Sequence, residues 1–231
     1  MKDFINIDGI EDTAERRKVI STLAVIRERN KRGYWVRKRG VDFVLSLTAL
    51  IVLAVPMAVI AVIIFAQDGA WPFYGQTRVG RRGKTFKMYK FRTMVPNADK
   101  LKRELMDKNE MDGPVFKIKD DPRITKIGGF LRKTSIDELP QFYNVLKGDM
   151  CIIGPRPPLP EEVAQYTEYQ KIRLLCTPGI TCTWQVAPKR NDISFEEWVE
   201  MDVDYVINRS LLMDIKIVFK TALVMLSAEG R

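Results

Sequence analysis

From Val44 to Ala66 the chain runs 23 residues without a charge. As a helix this stretch reaches about 34 Å, slightly more than the hydrocarbon core of a bilayer. It lies too far along the chain, and is too long, for the apolar region of a cleavable signal peptide, and no small-residue cleavage site follows it. Both flanks are basic, with Arg37, Lys38 and Arg39 before it and Arg78, Arg81, Arg82 and Lys84 after it. Positive charge marks the cytoplasmic side of a span, and here it marks both ends. Pro56, near the middle, removes a backbone hydrogen bond and predicts a kink. Two readings stay open: an ordinary spanning helix with a tolerated proline, and a bent, re-entrant helix that leaves on the side it entered.

Elsewhere the pattern is that of a folded domain. Residues 11–32 are charge-rich, with Val19, Ile20, Leu23, Ala24 and Ile26 along one helical side. This predicts an amphipathic helix lying on a membrane surface or against a partner. Phe73 to Met94 contains Gly75, Gly80 and Gly83, and Thr85 to Phe91 alternates basic with apolar residues, which predicts a short hairpin. Residues 97–110 predict a solvated helix, and Asp120, Asp121 and Pro122 a turn. The mixed apolar spacing from Thr125 to Leu146, interrupted by Gly128 and Gly129, fits two short helices better than one. Gly154 to Pro160 holds four prolines, so it is an extended loop presenting Arg156 in a fixed backbone setting. Leu211 to Leu226 is apolar but carries Asp214, Lys216 and Lys220, and fits an interfacial or core helix better than a span.

Charge and composition then limit the chemistry. The net charge of +9 suits phosphate-bearing partners, whether nucleotides, nucleic acid or anionic lipid. Without any histidine, the commonest general base and zinc ligand are unavailable, and reactions fall to carboxylates, Lys, Arg, Cys or hydroxyls. Cys151, Cys176 and Cys182 are odd in number and lack CxxC spacing, so buried reduced thiols are expected rather than a disulfide framework or a zinc site.

Asp137 and Glu138 are adjacent, follow Arg132 and Lys133, and precede Leu139 and Pro140. A carboxylate in that setting can attack phosphorus or hold Mg²⁺, a hard cation that takes one or two protein oxygens. The same pair can also be helix N-terminal charge that complements the dipole.

Five runs occur in order. They are Lys87-Met88-Tyr89-Lys90-Phe91-Arg92-Thr93-Met94, Arg132 through Asp137-Glu138-Leu139-Pro140-Gln141, Asn144-Val145-Leu146-Lys147-Gly148-Asp149-Met150, Gly154-Pro155-Arg156-Pro157, and Pro178-Gly179-Ile180-Thr181. Together they resemble the successive motifs of the monotopic phosphoglycosyl transferases, the bacterial sugar transferase family, over about residues 37–228.

That resemblance implies transfer of a sugar-1-phosphate from a UDP-sugar to polyprenol phosphate, normally undecaprenyl phosphate. UMP leaves and a polyprenol diphosphosugar forms, by a ping-pong route with Mg²⁺, as a first membrane step of bacterial glycoconjugate biosynthesis. It further implies that Asp137 is the nucleophile, passing through a phosphosugar-aspartyl intermediate and linked to the metal. Glu138 is then the second carboxylate of the dyad, and Arg132 and Arg156 are phosphate clamps. Arg39 and Asp42 match residues ahead of the apolar helix, and Pro56 matches the proline at which that helix breaks and re-emerges on the cytoplasmic face of the plasma membrane.

The sequence departs from the family pattern at Val55, where many small members carry serine, and at Cys182 to Asn191. Asp202 matches an acidic residue whose role as a helix cap, a salt bridge or a substrate contact stays open.

The expected fold is therefore mainly α with a small β element (α+β). Residues 1–36 form a charged amphipathic extension available for a homodimer contact, 37–67 the re-entrant membrane helix, and 68–231 one cytoplasmic catalytic domain with interfacial amphipathic helices. The rival reading is a non-enzymatic membrane-surface protein whose basic segments bind anionic lipid. A nucleic-acid role lacks a recognisable module.

Overall fold

In a computed structural model, the structure describes residues 4–29, 32–105, 107, 114, 115, 118, 120–188 and 192–226. The chain is mainly helical, with two small two-stranded sheets. Helix α1 spans Thr13–Glu28 and is capped by Asp12, whose Oδ1 accepts from the Ala14 N–H at 2.7 Å. Its apolar side is spent on the main core. Ile5, Ile10, Val19 and Ile26 are buried there with Ile172, Trp198, Val203 and Val206, so the N-terminal segment packs into the same core as the C-terminal half.

The uncharged stretch forms two helices, α2 (Arg32–Val52) and α3 (Ala54–Asp68), bent by 60° at Leu53. The bend falls one turn before Pro56, and the physics of proline accounts for this. Its missing N–H and its ring act on the carbonyl four residues earlier, that of Val52, while Pro56 itself sits comfortably in the first turn of α3. Among the described residues no single helix is long and apolar enough to cross a membrane; the bent pair passes that test only together. Val44, Ile51, Val55, Val62 and Phe65 are exposed along it.

Two polar anchors, one buried and one at the surface, hold this pair to the rest of the chain. Lys38 Nζ lies 3.3 Å from Asp42 and 3.1 Å from Asp214. Asp214 also accepts from the Tyr34 and Tyr205 hydroxyls, each at 2.8 Å. Arg39 donates to the Val145 and Leu146 carbonyls, at 2.5 and 2.7 Å. These are last-turn carbonyls of α6 (Gln141–Lys147), which have no partner inside their own helix.

The predicted hairpin is strands β1 (Phe73–Val79) and β2 (Thr85–Phe91), antiparallel with Phe73 opposite Phe91 and Val79 opposite Thr85. Its turn uses Arg82 and Gly83, both at positive φ. Helix α4 (Ala98–Glu104) covers part of the predicted 97–110 helix; residues 106 and 108–110 of it lie outside the described residues. The Thr125–Leu146 region divides as expected, into α5 (Lys126–Lys133), a 3₁₀ turn at Ile136–Glu138, and α6.

Strands β3 (Cys151–Ile153) and β4 (Gly179–Thr181) pair in parallel. Two short helices, α7 (Pro160–Val163) and α8 (Glu168–Lys171), lie between them. Helix α9 (Phe195–Asn208) carries much of the core, and α10 (Leu211–Leu226) follows it. Helix α10 buries Asp214 and Ile217 while exposing Leu212, Phe219 and Leu223, the two-sided pattern of an interfacial helix. All three cysteines are buried and outside any disulfide.

Candidate active site

Three residues at and after the end of β2, Lys90, Arg92 and Thr93, organise the site. Lys90 Nζ lies 2.6 Å from Glu138 Oε1 and 3.7 Å from Asp137 Oδ2. Arg92 forms a bidentate pair with Asp68 at the end of α3, both contacts 2.7 Å, and also donates to the Ala70 and Trp71 carbonyls. Thr93 Oγ1 accepts from Arg132 Nε at 2.9 Å. The strand itself is fixed by Asn144. This fully buried side chain accepts from the Tyr89 N–H at 3.0 Å and donates to the Lys87 carbonyl at 2.7 Å.

The carboxylate pair sits in the 3₁₀ turn after α5, entered through Ser135 at φ 57°. Asp137 is buried. Ile136 and Leu139, on either side of the pair, pack with Met57, Ile60, Ala61 and Ile64 of α3. The turn thus rests directly on the bent apolar pair. Burial lowers the Arg132 guanidinium pKa, and the nearby Asp137 charge opposes that shift.

Arg156 stands on a loop whose backbone is clamped from two sides. On one side the Gly154 N–H donates to Thr181 O and the Gly179 N–H to Pro155 O, both at 3.0 Å. On the other, the Val79 N–H reaches Pro158 O at 2.9 Å and Arg78 Nη1 reaches Pro157 O at 3.0 Å. Gly154 and Gly179 lie so close that a Cβ on Gly179 would fall 2.7 Å from the Gly154 carbonyl oxygen.

Arg156 lines an open cleft of about 260 Å³ together with Arg78, Met88, Lys90, Glu138, Gln141 and Gln185. Arg78 is buried, and burial together with the adjacent Arg156 charge brings its pKa down to about 10. The cleft therefore joins one carboxylate of the pair to three cationic side chains, and Asp137 adjoins it through Lys90.

Of the residues singled out from sequence, Asp137, Glu138, Arg132 and Arg156 converge here, whereas Pro56 lies away in α3. Arg78 and Lys90 belong to the site and were not singled out. Strand periodicity offers a signal for Lys90: it lies two residues from the buried Met88, so it faces inward, where a lysine needs an anion. Asp202 is a buried partner of Arg173, the salt-bridge reading. The divergent 182–191 stretch places Trp184 and Gln185 near Arg156; its residues 189–191 lie outside the described residues.

No group of three or more Cys, Asp or Glu side chains converges among the described residues. That excludes an all-protein metal cage there, but fits Mg²⁺, which needs only one or two carboxylates when substrate phosphates complete its shell.

A cationic cleft beside a buried carboxylate, next to a bent apolar helix pair, is the class of site that fold and geometry define. The chain belongs to the bacterial sugar transferase family, whose pattern it matches over residues 33–228. It is 45% identical over 200 residues to the galactosyl transferase CpsE of Streptococcus agalactiae, covering 87% of this chain and 44% of that protein. It is 44% identical over 207 residues to the undecaprenyl-phosphate galactose phosphotransferase of Salmonella typhimurium, covering 87% and 42%. With the exopolysaccharide production protein ExoY of Sinorhizobium fredii it shares 41% identity over 190 residues, covering 80% and 84%. The chain thus spans less than half the length of the first two relatives and most of the third.

Proposed function

We propose that this chain transfers a sugar-1-phosphate from a UDP-sugar to a polyprenol phosphate, such as undecaprenyl phosphate, at the cytoplasmic face of the bacterial plasma membrane. The observation that carries the reading is the buried Asp137, paired with Lys90 and near the Arg132 charge at the edge of a cationic cleft, in a turn whose neighbours Ile136 and Leu139 join the α3 apolar cluster. A surface protein that only binds anionic lipid has no need of buried acids paired with inward-facing cations. The names of the Salmonella relative and of an Aeromonas hydrophila relative, a UDP-N-acetylgalactosamine-undecaprenyl-phosphate N-acetylgalactosaminephosphotransferase, support the donor and acceptor classes.

In the first half-reaction an Asp137 carboxylate oxygen attacks the β-phosphorus. The bond from that phosphorus to the bridging oxygen breaks, and UMP leaves with the electron pair. Arg156, Arg78 and Lys90 offset the charge that builds on the phosphoryl oxygens, and Arg132 holds the attacking carboxylate side of the cleft. In the second half-reaction a phosphate oxygen of the lipid attacks the phosphosugar-aspartyl group, giving the polyprenol diphosphosugar and restoring the Asp137 carboxylate. Glu138 steadies Lys90 next to the reacting centre. Mg²⁺ held by Asp137 would neutralise charge on the donor diphosphate.

The bent pair enters and leaves on one side of the bilayer, with its exposed apolar faces and those of α10 in lipid. Such an arrangement keeps Asp137 where a soluble donor and a lipid-borne phosphate can both reach it. The test is incubation of the purified chain with a panel of UDP-sugars, polyprenol phosphate and Mg²⁺. Release of UMP is expected with at least one donor and is lost in Asp137→Asn; an unchanged rate in that variant refutes the nucleophile assignment.

A further inference from the structure

Arg156 also lines a second, much smaller space, together with Pro158, Glu162, Tyr166, Arg173 and Trp198. Two of these polar side chains are deeply buried: Arg173 is 3% exposed and Trp198 5%. Arg173 is fixed by Asp202, whose Oδ2 pairs with Nη2, and by the Tyr166 hydroxyl, which accepts from Nη1 at 3.1 Å. Trp198 is fixed by Trp184, stacked at 4.1 Å and 9°. Yet Arg173 Nε, Trp198 Nε1 and Asp202 Oδ1 have no hydrogen-bond partner among the described residues. Buried polar atoms left in this way cost the fold their full desolvation. Two donors and one acceptor in one neighbourhood call for a group that can both accept and donate.

We infer that this space holds one ordered water, and that Arg173 and Trp198 act through it as positioning residues for Arg156; the positioning role rests on the phosphate contact proposed for Arg156 above. Size is the first argument. The space is about 10 Å³, at the lower edge of the ~10–15 Å³ that one water needs, and it admits nothing larger. Hydrogen-bond count is the second. A water accepts two hydrogen bonds, matching the two N–H donors, and donates two, which Glu162 on the wall and Asp202 beside Arg173 can take. Glu162 Oε2 already accepts from the Leu159 N–H at 2.9 Å, so Oε1 is the oxygen on offer. Charge is the third, and it disfavours an ion. An anion that suited the donors would meet the two carboxylates, and a cation would meet the donors and the Arg156 and Arg173 charges. The consequence falls on Arg156. Its loop is pinned through the backbone, but its side chain borders two acids, Glu138 in the larger cleft and Glu162 in this space. A water bound to Glu162 takes both the acceptor and the room that the guanidinium would otherwise use, and so keeps Arg156 turned toward the phosphates.

Two measurements on the full chain in detergent test this. The first is an experimental structure at a resolution that shows ordered water. One peak within hydrogen-bond distance of both Arg173 Nε and Trp198 Nε1 is expected, and the lack of one overturns the water site. The second is isothermal titration of magnesium pyrophosphate into wild type, Trp198→Phe, Arg156→Ala and the double variant. Trp198→Phe keeps a ring against Trp184 and removes one donor. It is expected to weaken pyrophosphate about 3–10-fold, as loss of one hydrogen bond does. In the Arg156→Ala background the same change is expected to cost less than about twofold, because the residue it acts through is gone. A merely structural role would give the same fold loss in both backgrounds; that result, or wild type that fails to bind pyrophosphate, overturns the positioning role. Arg173→Lys keeps the charge facing Asp202, removes the Nε–H and leaves the tryptophan stack untouched. It repeats the cycle should Trp198→Phe fail to fold, and equal losses in its two backgrounds overturn the role in the same way. UMP release from UDP-sugars is read separately: its absence with every donor, beside an intact water peak and unequal pyrophosphate losses, refutes the parent function alone.

Discussion

Gly128 is the point at which α5 touches the strand that carries the site cations, and Gly128→Ala tests whether that contact positions Arg132. A Cβ at Gly128 would fall 2.7 Å from the Thr93 carbonyl carbon and 2.8 Å from its Cα, and closer still to its carbonyl oxygen. The obstacle is backbone, which cannot swing aside as a side chain would. Helix α5 must therefore retreat by about 1 Å to reach ordinary contact distance. That movement stretches the 2.9 Å bond from Arg132 Nε to Thr93 Oγ1 and the 3.0 Å bond from the Thr125 N–H to Thr93 O. Overpacking of this kind costs about 1–3 kcal/mol of stability. A displacement of about 1 Å at a positioning group costs on the order of 10²-fold in rate. Gly129→Ala is the control, because nothing lies within 4 Å of its Cβ direction and alanine in a helix is favoured by about 1 kcal/mol over glycine. UMP release and thermal denaturation in detergent measure both effects. If Gly128→Ala melts and turns over within twofold of Gly129→Ala, α5 does not position Arg132 as described.

Lys90→Met should reduce UMP release by about 10²–10³-fold with the melting temperature nearly kept, since its site is partly open and its loss leaves Glu138 in reach of water. Lys38→Met removes the shared partner of two buried carboxylates, Asp42 and Asp214, and should cost about 3–5 kcal/mol in denaturation. Cysteines at exposed Arg37 and Lys84 should be labelled from the same side of intact membrane vesicles; in Pro56→Ala, where the helix regains its bond to Val52, a fraction should label from opposite sides. Ile64→Ala, buried where α3 meets the catalytic turn, should cost about 2–5 kcal/mol and lower turnover, whereas Val62→Ser, on the exposed face of α3, should loosen membrane association and leave turnover per bound enzyme unchanged.

What the sequence discloses of this fold follows from which elements carry their own signal. The hairpin from Phe73 to Phe91 has alternation and glycine turns, and the break before Pro56 has a proline whose effect is local, so both can be read without tertiary information. Strands β3 and β4 cannot. Each has three residues, and they find one another across 25 intervening positions, without alternation long enough to detect. The partner of α1 was equally hidden, because a helix with one apolar side fits a membrane surface or a protein core alike. Only the packing of Val19 and Ile26 among α9 residues decides it. Among site residues, Asp137, Glu138, Arg132 and Arg156 stood out through motif resemblance. Arg78 looked like any other flanking cation. Its burial and its bond to Pro157 depend on where the proline loop lands, and no pattern within the strand encodes that.

The short run from Lys90 to Thr93 shows why the apolar pair is more than an anchor. Lys90 engages Glu138 and Asp137, Arg92 grips the end of α3 through Asp68, and Thr93 holds Arg132. The Ile136 and Leu139 side chains close the loop by packing back on α3. The carboxylates, their cations and the exposed apolar helix α3 are thus linked by hydrogen bonds and ion pairs within four residues of one strand end and by one small apolar cluster. A change in the depth or tilt of α3 cannot be absorbed by a flexible linker; it moves Arg92, and with it the register of Lys90 against the carboxylates. On the proposed reading this coupling has a chemical use: the height of the reacting carboxylate above the bilayer is set by the helix itself, and a lipid-borne phosphate meets Asp137 at a fixed level.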